Sequence, residues 1–165
     1  MKVKDILRVE NIALNVSAIT KEEVIKQLSG LLFKSGMVNN YDRFLQDVFI
    51  REEVGFTGAG KGIAIPHGIS RSVHDVAIAI GKLVNPIDWD TKENGYSEEE
   101  KKVTLVILFA VPEEDKYLEK RNHLEALKLI MQKLAEHETL QQLLQADNER
   151  EIISILETSN EGKEV

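Results

Sequence analysis

Apolar and polar residues alternate over residues 10–20, with Ile12, Leu14 and Val16 on one side, a period of two that predicts a short strand. The period then lengthens. Val24, Ile25, Leu28, Leu31 and Leu32 fall on one stripe of a helix, Thr20 and Glu23 are spaced as a capping box at its start, and Gly36 stands where such a helix ends. A second helix opens near Asn40, places Phe44, Leu45, Val48 and Phe49 on one face, and ends around Arg51 to Glu53. Gly55, Gly58, Gly60, Gly62 and Gly68 follow within fourteen residues, half of the ten glycines in the chain. Such a stretch turns tightly or lets something approach its backbone. Inside it Ile63-Ala64-Ile65 predicts a short strand closed by Pro66, which pushes the preceding residue into an extended conformation and stops the pairing.

Val76 to Leu83 and Val103 to Val111 are aliphatic or β-branched at nearly every position, the pattern of strands buried on both faces. Residues 85–102, polar and acidic with Trp89 and Tyr96 embedded, read as a long surface excursion between them. After Pro112 the chain is predicted helical. One helix starts at about Asn122 with Leu124, Leu127, Ile130, Met131 and Leu134 inward, a second carries Leu140, Leu143 and Leu144, and a third opens at an Asn148/Glu151 box. This order predicts an α/β fold, a mixed β-sheet flanked by helices on both sides, but not the order of its strands. Residues 1–157 are expected to form a single domain and the polar residues 158–165 a frayed tail.

Composition narrows the function. The chain has 165 residues, of which 42% are hydrophobic, enough for one core without a metal or disulfide staple. It contains no cysteine, so a disulfide framework, a thiol nucleophile and thiolate zinc sites are excluded. Its formal charge of −7 disfavours nucleic acid and anionic membrane as partners, because both reward a basic surface. The most apolar run, Val103 to Val111, is nine residues, about half of a membrane span, and the charged start Met1 to Asp5 has no apolar region behind it, so no secretion signal is expected. A soluble cytoplasmic domain is the resulting expectation.

The glycine segment Gly55-Phe56-Thr57-Gly58-Ala59-Gly60-Lys61 has the glycine and lysine spacing of a phosphate-binding P-loop, but Gly62 follows where a metal-holding Ser or Thr belongs, and the chain runs on into Ile-Ala-Ile-Pro rather than a helix. The alternatives are a flexible connector and a nest of backbone N–H groups for an anion. His67, directly after Pro66 and before Gly68, stands at a strand mouth with small neighbours; a neutral imidazole there can attack through one nitrogen while a hydrogen bond fixes the other. His123, at a helix start, reads either as a partly buried stripe residue or as a second ring near a phosphate. His74 and His137 lie in polar surroundings, and a metal site of His67, His123 and His74 lacks both helical ligand spacing and a carboxylate. Arg51 caps carbonyls at its helix end or forks to phosphate oxygens.

Arg51-Glu52-Glu53 followed by Thr57-Gly58-Ala59-Gly60-Lys61-Gly62-Ile63-Ala64-Ile65-Pro66-His67-Gly68 resembles the active-site segment of the type-2 A components (IIA, fructose/mannitol family) of the bacterial phosphoenolpyruvate-dependent sugar phosphotransferase system. The resemblance extends over about residues 5–157 through Asn11-Ile12-Ala13-Leu14, Asp88-Trp89, Leu108-Phe109-Ala110-Val111-Pro112 and Asn122-His123-Leu124. It implies a mixed sheet flanked by helices and a phosphotransferase in which His67 is phosphorylated by the phosphohistidine of the carrier HPr and gives the group to the B component of a sugar permease. It further implies that His123 is the second active-site histidine, that Arg51 is the active-site arginine, and that Thr57, with the backbone of Gly58, Gly60 and Gly68, lines the phosphate site.

No metal or cofactor is implied. Association with a membrane IIC permease complex fits the family, and fructose or a related hexitol such as mannitol is the first expectation for the sugar. A regulatory relative reporting nitrogen or carbon status through the same phosphohistidine would carry the same segment. Three departures stand out: Phe56 in place of the more usual Ser, Lys61 where Asn is common, and a longer segment at residues 113–121.

Overall fold

The computed structural model describes residues 2–89, 97–113 and 117–157, the side chains of residues 98, 100 and 117–123 excepted. A short helix α1 (Val3–Ile6) and a single 3-10 turn lead into strand β1 (Ile12–Val16). Helices α2 (Lys21–Lys34) and α3 (Tyr41–Val54) follow, then three short strands, β2 (Gly58–Gly60), β3 (Ile63–Ala64) and β4 (His67–Ser70). The long strands β5 (Ala77–Asp88) and β6 (Lys102–Pro112) flank a one-turn helix α4 (Glu98–Lys101), and α5 (Tyr117–Leu134), α6 (His137–Gln145) and α7 (Glu149–Glu157) complete the described chain.

The helix starts are set by side-chain chemistry. Thr20 accepts the N–H of Glu23 at 3.2 Å, Asn40 that of Arg43 at 3.0 Å and Asn148 that of Glu151 at 2.9 Å, each satisfying a donor that the first turn leaves orphaned. The Glu23 carboxylate reaches back to the N–H of Ile19 rather than of Thr20, so the predicted box closes one residue early. Gly36, at φ 83°, takes the left-handed conformation that ends α2.

The sheet is mixed, in the order β1-β5-β6-β3-β2. β5 and β6 are antiparallel, whereas β1 runs parallel to β5, and β3 and β4 both run parallel to β6. β3 and β4 share one side of β6 end to end: Ile63 and Ala64 face Leu105 and Val106, and His67 to Ser70 face Phe109 to Pro112. Pro66 interrupts the line without breaking the ladder, since its carbonyl accepts the N–H of Phe109 at 3.0 Å.

Alternation along β5 and β6 builds two cores. Ile78, Ile80, Leu105, Ile107, Phe109 and Val111 pack with α1, α5, α6 and α7; Ala77, Ala79, Val106, Leu108 and Ala110 pack with α2 and α3. Both faces of the sheet are thereby covered, as the continuous apolar runs predicted.

Several local expectations are corrected. Val16 lies in the core opposite to that of Ile12, because the pairing with β5 shifts between Ala13 and Val16. β5 continues to Asp88, past Pro86, through an irregularity between Lys82 and Ile87, so residues 85–88 belong to the sheet and Trp89 is buried. Tyr96 lies outside the described residues, as do 158–165 and, within the longer segment, 114–116. α5 begins at Tyr117, and its buried stripe is Ala126, Ile130 and Leu134; Leu124 and Met131 are exposed. Leu144 of α6 is also exposed.

Candidate active site

The near-P-loop is a β-hairpin. Gly60 pairs with Ile63, which leaves Lys61 and Gly62 as a two-residue turn with φ of 56° and 82°, the positive values of a type I′ turn. No helix begins there, so the nucleotide-binding reading of this segment is set aside. Lys61 is the one described residue other than glycine with a positive φ, and asparagine adopts that conformation at lower cost than lysine.

Arg51, in the last turn of α3, and His67, the first residue of β4, are brought together. The Arg51 Nε–H donates to His67 Nε2 at 3.2 Å, and the Arg51 Nη1–H donates to the carbonyl of Gly55 at 3.2 Å. A guanidinium has donors only, so the Nε2 it faces carries a lone pair and the ring proton resides on Nδ1, directed at the Ile65 carbonyl 3.4 Å away. This tautomer follows from the hydrogen-bond network. His67 is half-buried on β4, a strand paired with β6. Exposed apolar side chains lie close in sequence to both: Ile50 and Val54 on α3, and Ile69 two residues beyond His67 on the same side of β4.

Thr57 is placed differently from the expectation. It is buried; its hydroxyl donates to Glu52 Oε1 at 2.7 Å and accepts from the indole N–H of Trp89 at 2.7 Å. Both bonds point inward, so the hydroxyl does not line a phosphate site. At Gly68 a Cβ would lie 2.7 Å from Val48 Cγ2 and 2.9 Å from Phe44 Cε2, so packing of α3 on β4 already requires a small residue there. A Cβ at Gly58 would run into the Phe56 ring, whereas Gly60 borders open space at the hairpin.

His123 falls within α5, and its side chain lies outside the described residues. His74 lines a surface cleft of about 570 Å³ with Asn39, Arg71, Val73, Pro112 and Glu113, none of which touches the Arg51–His67 pair in the bonds described above.

Glu52 went unnoticed in the sequence, although the signal was there. Phe44 and Val48 put every fourth residue of α3 inward, and Glu52 is the next on that row. A carboxylate on a buried stripe calls for partners, and Lys21 Nζ at 3.1 Å from Oε2 and the Thr57 hydroxyl supply them.

The family model described as "Phosphoenolpyruvate-dependent sugar phosphotransferase system, EIIA 2" matches residues 5–159. The chain is 33% identical over 156 residues to the PTS system fructose-specific EIIABC component of Bacillus subtilis (strain 168), covering 94% of this chain and 23% of that protein. It is 25% identical over 147 residues to the PTS system fructose-like EIIA component of Escherichia coli (strain K12), covering 89% of this chain and 93% of that one. Among solved structures, nitrogen regulatory protein IIA-Ntr from Neisseria meningitidis superposes with a TM-score of 0.78 at 26% identity, covering 92% of this chain and 97% of that chain. The chain spans less than a quarter of the length of several of the curated relatives it matches.

Proposed function

Because the chain belongs to the EIIA 2 family of the phosphoenolpyruvate-dependent sugar phosphotransferase system, whose members pass a phosphoryl group through a histidine, we propose that His67 is that histidine here and Arg51 the group that steadies the transfer. The 3.2 Å bond between Arg51 Nε and His67 Nε2 carries this reading, since it sets a cation beside the nitrogen with a lone pair.

The lone pair on Nε2 attacks the phosphorus of a donor phosphohistidine, the donor's N–P bond breaks, and its electron pair returns to the donor imidazole. Nδ1 keeps its proton throughout, and with a proton likewise on the donor's other ring nitrogen the donor leaves as neutral imidazole, so the step needs no proton transfer. Forming the new N–P bond uses the lone pair that Arg51 occupies, and the guanidinium is then within reach of the phosphoryl oxygens. A fork of N–H donors at that point spreads the charge of a loose transition state. Backbone N–H groups around Gly58 and Gly60 would add to it; His123, which lies nearly two turns into α5 and not at the helix start expected from the sequence, is retained as the second ring on the family resemblance alone.

The donor is HPr and the acceptor a sugar-specific B component; the fused A, B and C arrangement in the name of the Bacillus subtilis relative supports the second assignment. A phosphoryl group adds about two negative charges to a chain already at −7, which favours carriers presenting a basic or apolar patch. Ile50, Val54 and Ile69 give an apolar patch something to meet. Uptake of fructose or a related hexitol is the preferred physiological setting, and the names of the fructose-specific and fructose-like relatives support it. The likeness to a nitrogen regulatory protein supports a second reading, control of partner proteins by the same phosphohistidine.

Residues 1–157 are read as one domain, in line with the family match. Among the described residues no helix is long and apolar enough to cross a membrane, which is consistent with the cytoplasmic placement proposed here.

Incubation with phosphoenolpyruvate, the first enzyme of the relay and HPr, followed by intact-mass measurement, tests the reading. One acid-labile phosphoryl group is expected on the wild type and none on His67→Ala. A fully phosphorylated His67→Ala protein would overturn it. Transfer onward to a sugar-specific B component, compared with binding to a non-sugar partner, separates uptake from regulation.

A further inference from the structure

Four side chains whose described bonds do not reach the reacting nitrogen are joined in one line, buried except at its Lys21 end. Lys21 Nζ, at the start of α2, lies 3.1 Å from Glu52 Oε2; Glu52 Oε1 accepts the Thr57 hydroxyl at 2.7 Å; and that hydroxyl accepts the Trp89 indole N–H at 2.7 Å. Glu52, Thr57 and Trp89 are all buried. An indole N–H only donates and a carboxylate only accepts, so the hydroxyl proton has a single place to go, toward Glu52. The line therefore fixes Thr57 in one orientation and ties together the first turn of α2, the last turn of α3, the loop before β2 and the end of β5.

Two of the contacts to the His67 ring, those of Arg51 and of the Ile65 carbonyl, hang from this line. On one side Arg51 is the chain neighbour of Glu52 in the same helical turn. On the other, the Thr57 carbonyl accepts the N–H of Ile65 at 2.9 Å, and the Ile65 carbonyl faces His67 Nδ1 at 3.4 Å. The ring is thus held at Nε2 through α3 and at Nδ1 through the Thr57–Ile65 pair.

We infer that Glu52, Thr57 and Trp89 form a positioning relay that holds His67 in the tautomer with its proton on Nδ1 and its lone pair on Nε2. The residues act through Arg51 and Ile65 and touch no reacting atom. The inference deepens the proposed function and rests on it for its kinetic consequence, though not for the tautomer itself.

The test uses the full chain with Thr57→Val, which keeps the shape and removes the hydroxyl, Thr57→Ser, which restores it, and Trp89→Phe, which removes only the donor. The His67 tautomer is read from long-range ¹H–¹⁵N correlations of the imidazole, phosphoryl transfer from phosphorylated HPr gives kcat and KM, and thermal unfolding gives stability. In Thr57→Val the tautomer is expected to become mixed and kcat to fall about tenfold, the rate equivalent of one ordinary hydrogen bond, with KM for the donor within about twofold of wild type. Thr57→Ser should restore both.

A Thr57→Val protein that melts earlier yet keeps the wild-type tautomer and kcat would overturn the inference, because the line would then be structural only. Should Thr57→Val not fold, Trp89→Phe decides: a tautomer shift in the same direction supports the relay, and an unshifted one refutes it. A wild-type chain that accepts no phosphoryl group on His67 would refute the proposed function, while the tautomer comparison would still judge the relay.

Discussion

Replacing Gly68 by alanine adds one methyl group at the seam between β4 and α3, one residue after His67 and under the turn of α3 that precedes Arg51. The new Cβ would stand 2.7 Å from Val48 Cγ2 and 2.9 Å from Phe44 Cε2. These separations are roughly 1 Å short of the ~3.5–4.0 Å at which carbon atoms rest. Neither neighbour has solvent to swing into, since both are 0% exposed. Overpacking of this kind costs about 1–3 kcal/mol, and the stiffer unfolded chain of an alanine variant offsets about 0.4–1 kcal/mol of that. A net loss of about 1–2 kcal/mol corresponds to a drop of roughly 2–8 °C in Tm for a chain of this size.

Gly30→Ala is the matched control: Gly30 lies inside α2 with nothing within 4 Å of its missing Cβ. Removing a helix-interior glycine there is expected to stabilise by about 0.5–1 kcal/mol, a rise of roughly 1–4 °C. Differential scanning calorimetry of the two variants beside wild type reads both signs at once. A Gly68→Ala protein melting at or above wild type would refute the argument that α3 packs directly on β4 at this point, and with it the reason given for glycine beside the site.

Lys61→Asn should raise stability by about 0.5–1 kcal/mol, because asparagine accepts the left-handed conformation that the two-residue turn imposes; urea unfolding would show it as a higher midpoint at unchanged slope. Asn148→Ala removes the acceptor for the Glu151 N–H and should cost about 1 kcal/mol, seen as faster amide exchange at the start of α7 before any global change. Arg51→Lys retains the charge but not the fork, and should slow single-turnover transfer to His67 roughly a hundredfold, the loss typical of one positioned donor, while leaving the site of phosphorylation unchanged.

The layered architecture was legible because its signals are local. Continuous aliphatic runs at 76–83 and 103–111 can be buried only between two layers of helix, and Thr20, Gly36, Asn40 and Asn148 mark helix ends by their own hydrogen-bonding chemistry or backbone freedom. What escaped depends on partners distant in the chain. A bulge in the pairing of β1 turns Val16 to the other core, and an irregular register lets β5 pass Pro86, which reads locally as a strand end. Ala126 opens the buried α5 stripe but is too small to stand out among leucines, so the inward face is set by residues 126, 130 and 134.

At the site, His67 and Arg51 stood out by residue type and neighbourhood and the structure places them in contact, whereas the inward bonds of the Thr57 hydroxyl were not foreseen. A threonine in a glycine-rich segment looks like a phosphate ligand until Trp89, thirty-two residues on, is seen to occupy its hydroxyl.

The resting bond between Arg51 and His67 has a consequence for a carrier that must give up what it accepts. A hydrogen bond from a charged donor is worth about 1.5–3 kcal/mol, and phosphorylation of Nε2, as proposed above, would remove the acceptor. The guanidinium then has either the phosphoryl oxygens or water to turn to, so binding the group replaces an existing interaction instead of adding a new one. A phosphorylated state at His67 would accordingly be stabilised by the difference between two arginine contacts rather than by a whole one. Anchorage of Nη1 on the Gly55 carbonyl holds the side chain beside the ring. On the proposed role of His67, a site built this way would orient the phosphoryl group for transfer while leaving the N–P bond nearly as ready to donate as it was on arrival, which is what a relay between two imidazoles requires.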